Sequence, residues 1–216
     1  MHRWLWRVAV MAGLLAAPAA AHAQAAVGLR AGLRSAQLTT AQDVDGLTDF
    51  VVGGYFGFGV SNRLALQLEA VYGTRGADGL GLGDGELDAA GTPVDLSMNY
   101  LEFPVLLRAG FPGDRFLPSV FAGPYAAFLL SCEITPAGGE ARDCKTSGAA
   151  ERFHPRGTEF GILAGVGLDM AMGESTVFVD ARYTLGLLSI ESGDGAFDAR
   201  HNGFAVSGGF AVPVGR

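Results

Sequence analysis

"NYLEFPVLLRAGFPGDRFLPSVFAGPY", Asn99 to Tyr125, decides how the rest of the chain is read. Two apolar runs flank FPGD, a group whose Pro, Gly and Asp favour a turn. The first run carries Glu102 and Arg108, with Pro104 between them. A buried charge without a partner is costly, so these residues need water or each other. Side-chain parity resolves the conflict. Glu102, Pro104 and Arg108 share one face of an extended strand, and Leu101, Phe103, Val105 and Leu107 share the other. Pro104 cannot donate to a ladder, which predicts a bulge or a missing bond in this strand.

The same period of two recurs along the chain, at about 25–34, 50–60, 64–74, 98–110, 118–131, 157–170, 176–190 and 202–214. Most of these stretches approach or exceed the roughly 9 to 11 residues with which a tilted strand crosses a bilayer. Their connections alternate in length. Residues 61–63, 111–117 and 171–175 form short turns, whereas 35–49, 75–97, 132–156 and 191–201 are long and polar. The fold class that follows is all-β: an eight-stranded, antiparallel, up-and-down transmembrane β-barrel with short periplasmic turns and long external loops.

A soluble barrel also alternates, so the composition of the faces has to orient this one. One face reads Val27, Leu29, Ala31 and Leu33, then Phe50, Val52, Phe56 and Phe58, and continues without a charge to Phe204, Val206, Phe210 and Val212. The other mixes glycine with charge: Arg30, Arg34, Arg108 and Arg182 against Glu69, Glu102, Glu159, Asp169 and Asp180. Glycine weakens a water-facing strand, but it makes room for large side chains in a narrow lumen. The charged face is therefore predicted inside, as a salt-bridged network that fills the lumen and leaves no general diffusion pore. Phe50, Tyr72, Phe160 and Phe204 are placed for an outer aromatic girdle. The fifth stretch, SVFAGPYAAFLLS, fits least well because both of its faces are apolar.

Arg3 and Arg7, an apolar core from Val8 to Ala17 and the small residues to Ala23 read as a secretory signal cleaved after residue 23, leaving residues 24–216 as one barrel domain. Loss of two arginines takes the formal net charge from -7 to -9. An acidic chain with Lys145 as its lysine has no footprint for nucleic acid. Cys132 and Cys144, in a polar segment of an exported chain, are read as a disulfide.

"YLEFPVLLR" (100–108) followed by "FAGPYAAFLLS" (121–131), together with "FGILAGVGLDM" (160–170) and "VDARYTLGLLSI" (179–190), resembles the PorT-like family of outer-membrane β-barrel proteins. The resemblance runs from Val27 to Val212 and rests on the strand pattern. It implies an integral barrel, porin-like in architecture, in the cell outer membrane of Gram-negative bacteria. Members of such families usually end in an aromatic residue; here Val212-Pro213-Val214-Gly215-Arg216 ends the sequence and Phe210 is the nearest aromatic.

Chemistry is sparse. His154 and His201 are read as external-loop residues, near Ser147, Glu151, Ser192 and Asp198, but no spacing among them marks a nucleophile, base and orienting acid. Excess negative charge gathers in the long connections: Asp43, Asp45 and Asp49; Asp78, Asp84, Glu86, Asp88 and Asp95 with Arg75; Glu191, Asp194 and Asp198 with Arg200. None matches a Ca²⁺ loop, so solvated loops are the reading, with no metal, catalytic or cofactor residues. Gly161-x-x-x-Gly165-x-Gly167 lacks nucleotide-loop spacing and is read as barrel packing. The functional expectation is a monomeric, non-enzymatic barrel in contact with outer-membrane lipid, whose loops meet an envelope or extracellular partner. A narrow channel or transporter is the alternative, and a lipid-modifying enzyme comes third.

Overall fold

Closing a sheet on itself satisfies every backbone group without water, and a chain with one wholly apolar face needs that economy. The computed structural model describes residues 25–39, 45–80, 94–136, 138–144, 156–187 and 200–214. The expected signal and much of the four long connections lie outside them. Strands follow in the order β1 (Ala25–Thr39), β2 (Asp45–Gly59), β3 (Leu64–Leu80), β4 (Val94–Gly110), β5 (Phe116–Pro136), β6 (Arg142–Asp143), β7 (Thr158–Met172), β8 (Ser175–Gly186) and β9 (Arg200–Val214). All pairs are antiparallel. The order β4-β3-β2-β1-β9-β8-β7-β5 is closed into a barrel by the pairing of β4 with β5. Eight strands form the wall, and β6 lies on the far end of β5 at Glu133 and Ile134.

The short turns are built locally. Ser61 Oγ accepts from the backbone N–H groups of Arg63 and Leu64, and the N–H of Val60 donates to the Leu64 carbonyl. Between β7 and β8 the chain reverses in two residues, with Gly173 at φ 64°, a left-handed conformation that favours glycine.

The strands run farther toward the long connections than the sequence pattern marks. β3 continues to Leu80, β4 starts at Val94, β5 reaches Pro136 and β9 starts at Arg200. On β3 and β9 the outward apolar residues give out while backbone pairing continues, and on β4 and β5 the apolar residues change face, with Leu96, Met98 and Ile134 buried inside. At the opposite limit, β8 stops at Gly186.

Outward residues form one apolar belt. Leu29, Val52, Leu68, Val105, Ile162, Val179 and Val206 are all exposed, as are the expected girdle residues Phe50, Tyr72, Phe160 and Phe204. Phe128 and Phe103 join that band with their rings 5.9 Å apart, edge to face.

At Pro104 the β3–β4 register passes from Leu68↔Val105 to Val71↔Glu102, omitting Phe103 and Pro104 without a shift. The proline thus interrupts the ladder and makes no bulge. A bulge occurs elsewhere: Tyr100 pairs with Leu129 and Asn99 with Ser131, leaving Leu130 as the extra residue. Before it, odd residues of β5 point inward (Ser119, Phe121, Tyr125, Ala127); after it, Cys132 and Ile134 do. The two-sided apolar character of the fifth stretch follows. Its outer face meets the belt, and its inner face packs Phe121, Tyr125 and Ala127 against Leu106 and Leu163 inside the barrel.

Candidate functional site

Glycine governs what the lumen holds. A Cβ at Gly161 would strike the ring of Tyr125, at Gly165 the ring of Phe121, and at Gly167 the guanidinium of Arg108. The three glycines of β7 thus form a trough for side chains from β4 and β5, as their spacing in sequence suggests.

Within that space the charged residues assemble into three tiers. Nearest the short turns, Arg108 Nη2 binds both oxygens of Asp169 at 2.7 and 3.0 Å, joining β4 to β7, with the guanidinium over the Phe121 ring. In the middle, Arg30 and Arg182 share two carboxylates. Arg30 reaches Glu69 at 3.2 Å and Asp180 at 2.8 Å; Arg182 reaches Glu69 at 2.8 Å and Asp180 at 3.2 Å. Gln67 Nε2 also donates to Glu69, at 2.6 Å. The third tier, toward the long connections, holds Arg34, Arg75, Glu102, Glu159 and His201. Arg34 grips both oxygens of Glu102. Arg75 donates from Nε to Glu102 at 3.2 Å, and its Nη2 lies 2.9 Å from the same oxygen but is poorly aligned for a hydrogen bond. Its Nη1 binds Glu159 at 2.6 Å.

Each tier is neutral by itself: one cation with one anion, two with two, and two with two. The second and third are sealed from solvent, with side chains at most 4% exposed. Bidentate and shared geometry is what makes a buried charge tolerable, because it meets the desolvation of each ion with several charge-assisted bonds. Together the tiers tie β1, β3, β4, β7, β8 and β9 across the interior. β2 contributes Tyr55, edge to face with Phe178 at 5.7 Å.

Glu159 joins three side chains of different kinds. Oε1 accepts from Arg75 and from the Tyr125 hydroxyl at 2.5 Å, and Oε2 lies 2.8 Å from His201 Nδ1. Arg75 is in turn sandwiched between Tyr100 and Tyr125, 5.5 and 5.3 Å from the ring centres. An acid orienting a histidine is half of a nucleophilic site, but here the imidazole is buried and its Nε2 has no partner among the described residues. Among the described residues no three His, Cys, Asp or Glu groups are placed to hold a metal ion.

All nine residues expected in the lumen network point inward, and every one has an ion-pair partner. The network has two members more. Arg75 and His201, read from sequence as loop residues, belong to β3 and β9 and lie in the third tier. The signal was present: Arg75 continues the parity of Gln67, Glu69 and Gly73, and His201 that of Gly203 and Ser207. Adding Arg75 brings five arginines against the five acids and makes the interior neutral. Cys132 and Cys144 are bonded and buried, on a hairpin whose Cys144 N–H donates to the Cys132 carbonyl. His154, Ser147, Glu151, Ser192, Glu191, Asp194, Asp198, Asp43, Asp84, Glu86 and Asp88 lie outside the described residues.

Residues 8–210 match the family model of the outer membrane protein beta-barrel domain. The chain belongs to this family. Among solved structures, this outer-membrane barrel is similar to Neisserial surface protein A (NspA), with TM-score 0.52 and 11% identity over 88% of this chain and 99% of that one. Lower similarities are to Ail of Yersinia pestis (TM-score 0.45, 11% identity, 87% and 99% covered) and to the N-terminal barrel domain of Pseudomonas aeruginosa OprF (0.41, 14%, 89% and 100%). No curated protein matches by sequence. The family places the protein in the outer membrane of Gram-negative bacteria.

Proposed function

We propose that this protein is a monomeric, non-enzymatic outer-membrane barrel of the PorT-like type. Its lumen is closed, and its acidic external loops meet an envelope or extracellular partner. One observation carries the reading: three separately neutral tiers of ion pairs cross the interior, and among the described residues every charged group in these tiers has a partner. A conducting pore needs water along its axis, and such a network leaves none in the middle tier. The strand motifs from Tyr100 to Ile190 support the PorT-like assignment. The N-terminal Arg3 and Arg7 with the following apolar run support cleavage after residue 23.

The test is purification from the outer-membrane fraction, N-terminal sequencing, and planar-bilayer recording of the folded, heat-modifiable form. A start at residue 24 and the absence of steady conductance near neutral pH are expected. Steady conductance of the wild-type barrel would favour the narrow channel instead.

A further inference from the structure

Thr74, Asn99 and Ser131 stand side by side on β3, β4 and β5, on the long-connection side of the apolar row Tyr72, Leu101 and Phe128. Their chain neighbours Arg75, Met98, Tyr100 and Cys132 are buried in the lumen, so the three point outward, each half-buried. We propose that this polar rung is a docking site for a membrane glycolipid, with the sugar headgroup on the rung and the acyl chains on the row beside it. The proposal rests on the outer-membrane assignment, with the long connections external as in barrels of this kind. It adds a lipid partner at the outer wall and leaves the closed lumen as it stands.

Three features carry it. The first is a fixed array of polar groups. Thr74 Oγ1 donates to Asn99 Oδ1 at 2.8 Å, and Asn99 Nδ2 donates to Ser131 Oγ at 2.9 Å. Those bonds leave the second amide N–H of Asn99 and the Ser131 hydroxyl hydrogen to donate, and Thr74 Oγ1 to accept. A sugar, whose hydroxyls both donate and accept, meets such a set without any charge. The second feature is the charge around it. Farther along the same outward faces stand Asp95 and Glu133, both exposed, and no cation lies there among the described residues of β3, β4 and β5. A lipid phosphate would find acids in place of the guanidinium groups that recognise it, so the sugar is the part of a headgroup that fits. The third is continuity with the lipid belt. Tyr72 and Phe128 are exposed in the adjoining row, and the bulge places the exposed Leu130 beside Ser131. A ligand polar at one end and apolar at the other thus meets polar rung and aromatic row without a gap, where interfacial aromatics stand.

The experiment titrates the folded barrel in detergent with three probes: lipid A, an acylated glucosamine disaccharide; lipid A stripped of its phosphates; and phosphatidylglycerol. Native mass spectrometry reads the bound lipid. Wild type, Asn99→Ala and Ser131→Ala are compared, each shown to be folded by heat-modifiable mobility. The wild type should bind both forms of lipid A and hold phosphatidylglycerol more weakly. Asn99→Ala removes the centre of the rung and should weaken both forms of lipid A about tenfold, the worth of one or two hydrogen bonds, with phosphatidylglycerol unchanged. Equal lipid A binding by the wild type and Asn99→Ala overturns the proposal and leaves the rung a solvated ladder. Binding lost with the phosphates, or matched by phosphatidylglycerol, assigns an anion site or an unselective lipid surface and overturns it as well. Should Asn99→Ala not fold, Ser131→Ala decides by the same comparison. Detergent has no leaflets, so the result does not depend on which end of the barrel faces outward. Conductance tests the closed lumen separately, and either reading can fail while the other stands.

Discussion

Arg75 and Glu159 meet across the lumen, Nη1 to Oε1 at 2.6 Å, although 84 residues separate them in sequence. Their strands are not neighbours in the sheet: β4 and β5 lie between β3 and β7 on one side, and β2, β1, β9 and β8 on the other. The bond is thus a strut across the barrel. Backbone ladders hold adjacent strands at a fixed spacing, and struts of this kind hold opposite walls together.

Removing one end of the strut should cost more than removing both. Arg75→Met strands Glu159 and weakens the set around Glu102. Loss of one partner of a buried pair costs on the order of 3–5 kcal/mol, most of it from the charge left behind. The double variant Arg75→Met/Glu159→Gln should recover a clear part of that loss. Urea unfolding of the barrel in lipid vesicles, followed by loss of heat-modifiable mobility, gives both values. Equal losses in the single and double variants would show that the strut carries no coupling.

Gly161 and Gly57 separate glycines that are needed from those that are tolerated. At Gly161 an added methyl meets both the Tyr125 ring and the Leu185 carbonyl, and backbone cannot step aside as a flexible chain end can. At Gly57 the nearest atom is 3.7 Å away, an ordinary contact. Gly161→Ala should therefore lose about 1–3 kcal/mol by overpacking. Gly57→Ala should change little, or gain slightly from a stiffer unfolded chain. The same unfolding assay ranks them, and a ranking in the other order would refute the trough described for β7.

The barrel was legible in the sequence because lipid and lumen impose opposite compositions on alternate residues, and Leu101 to Arg108 shows both at once. The sequence pattern lost sight of the strand ends. Beyond the belt the outward apolar residues of β3 and β9 give out, so apolar alternation does not mark the continuation of β3 through Arg75 or the start of β9 before His201. Parity alone contained the missing information. Which acid meets which arginine was not legible, because pairs such as Arg30 with Asp180 depend on how far the closed sheet is sheared, and spacing along one strand does not record that. The inversion at Leu130 was hidden for a different reason: two adjacent leucines read equally well as strand or as bulge.

Deleting Leu130 tests that inversion. The bulge turns Cys132 and Ile134 inward, where Cys132 meets Cys144. Without the extra residue, Ser131 follows Leu129 directly, the β4–β5 register continues unshifted, and Cys132 keeps its place opposite Met98 and faces inward. The deletion variant should therefore fold as a barrel with its disulfide intact and, like the wild type, label with maleimide only after reduction. Free thiols in the folded deletion variant would show that Leu130 is an ordinary member of the strand, since removing such a residue turns everything beyond it to the other face.

Val105 and Phe111 test which face meets lipid. Both are exposed; Val105 lies within β4, between Glu102 and Arg108, and Phe111 just past its end, where its N–H donates to the Pro118 carbonyl. Arginine on the lipid face costs about 2–4 kcal/mol at the bilayer midplane and roughly 0–1 kcal/mol near an interface. Val105→Arg should therefore be strongly destabilised in vesicles, and Phe111→Arg nearly neutral, because its guanidinium reaches water and headgroups. In a soluble barrel both substitutions would merely replace an exposed apolar residue with a charged one, and neither would cost much. A depth-dependent penalty thus reads the solvent of this face directly. Equal tolerance at the two positions would reverse the assignment of lumen and exterior, and with it the reason for burying five arginines.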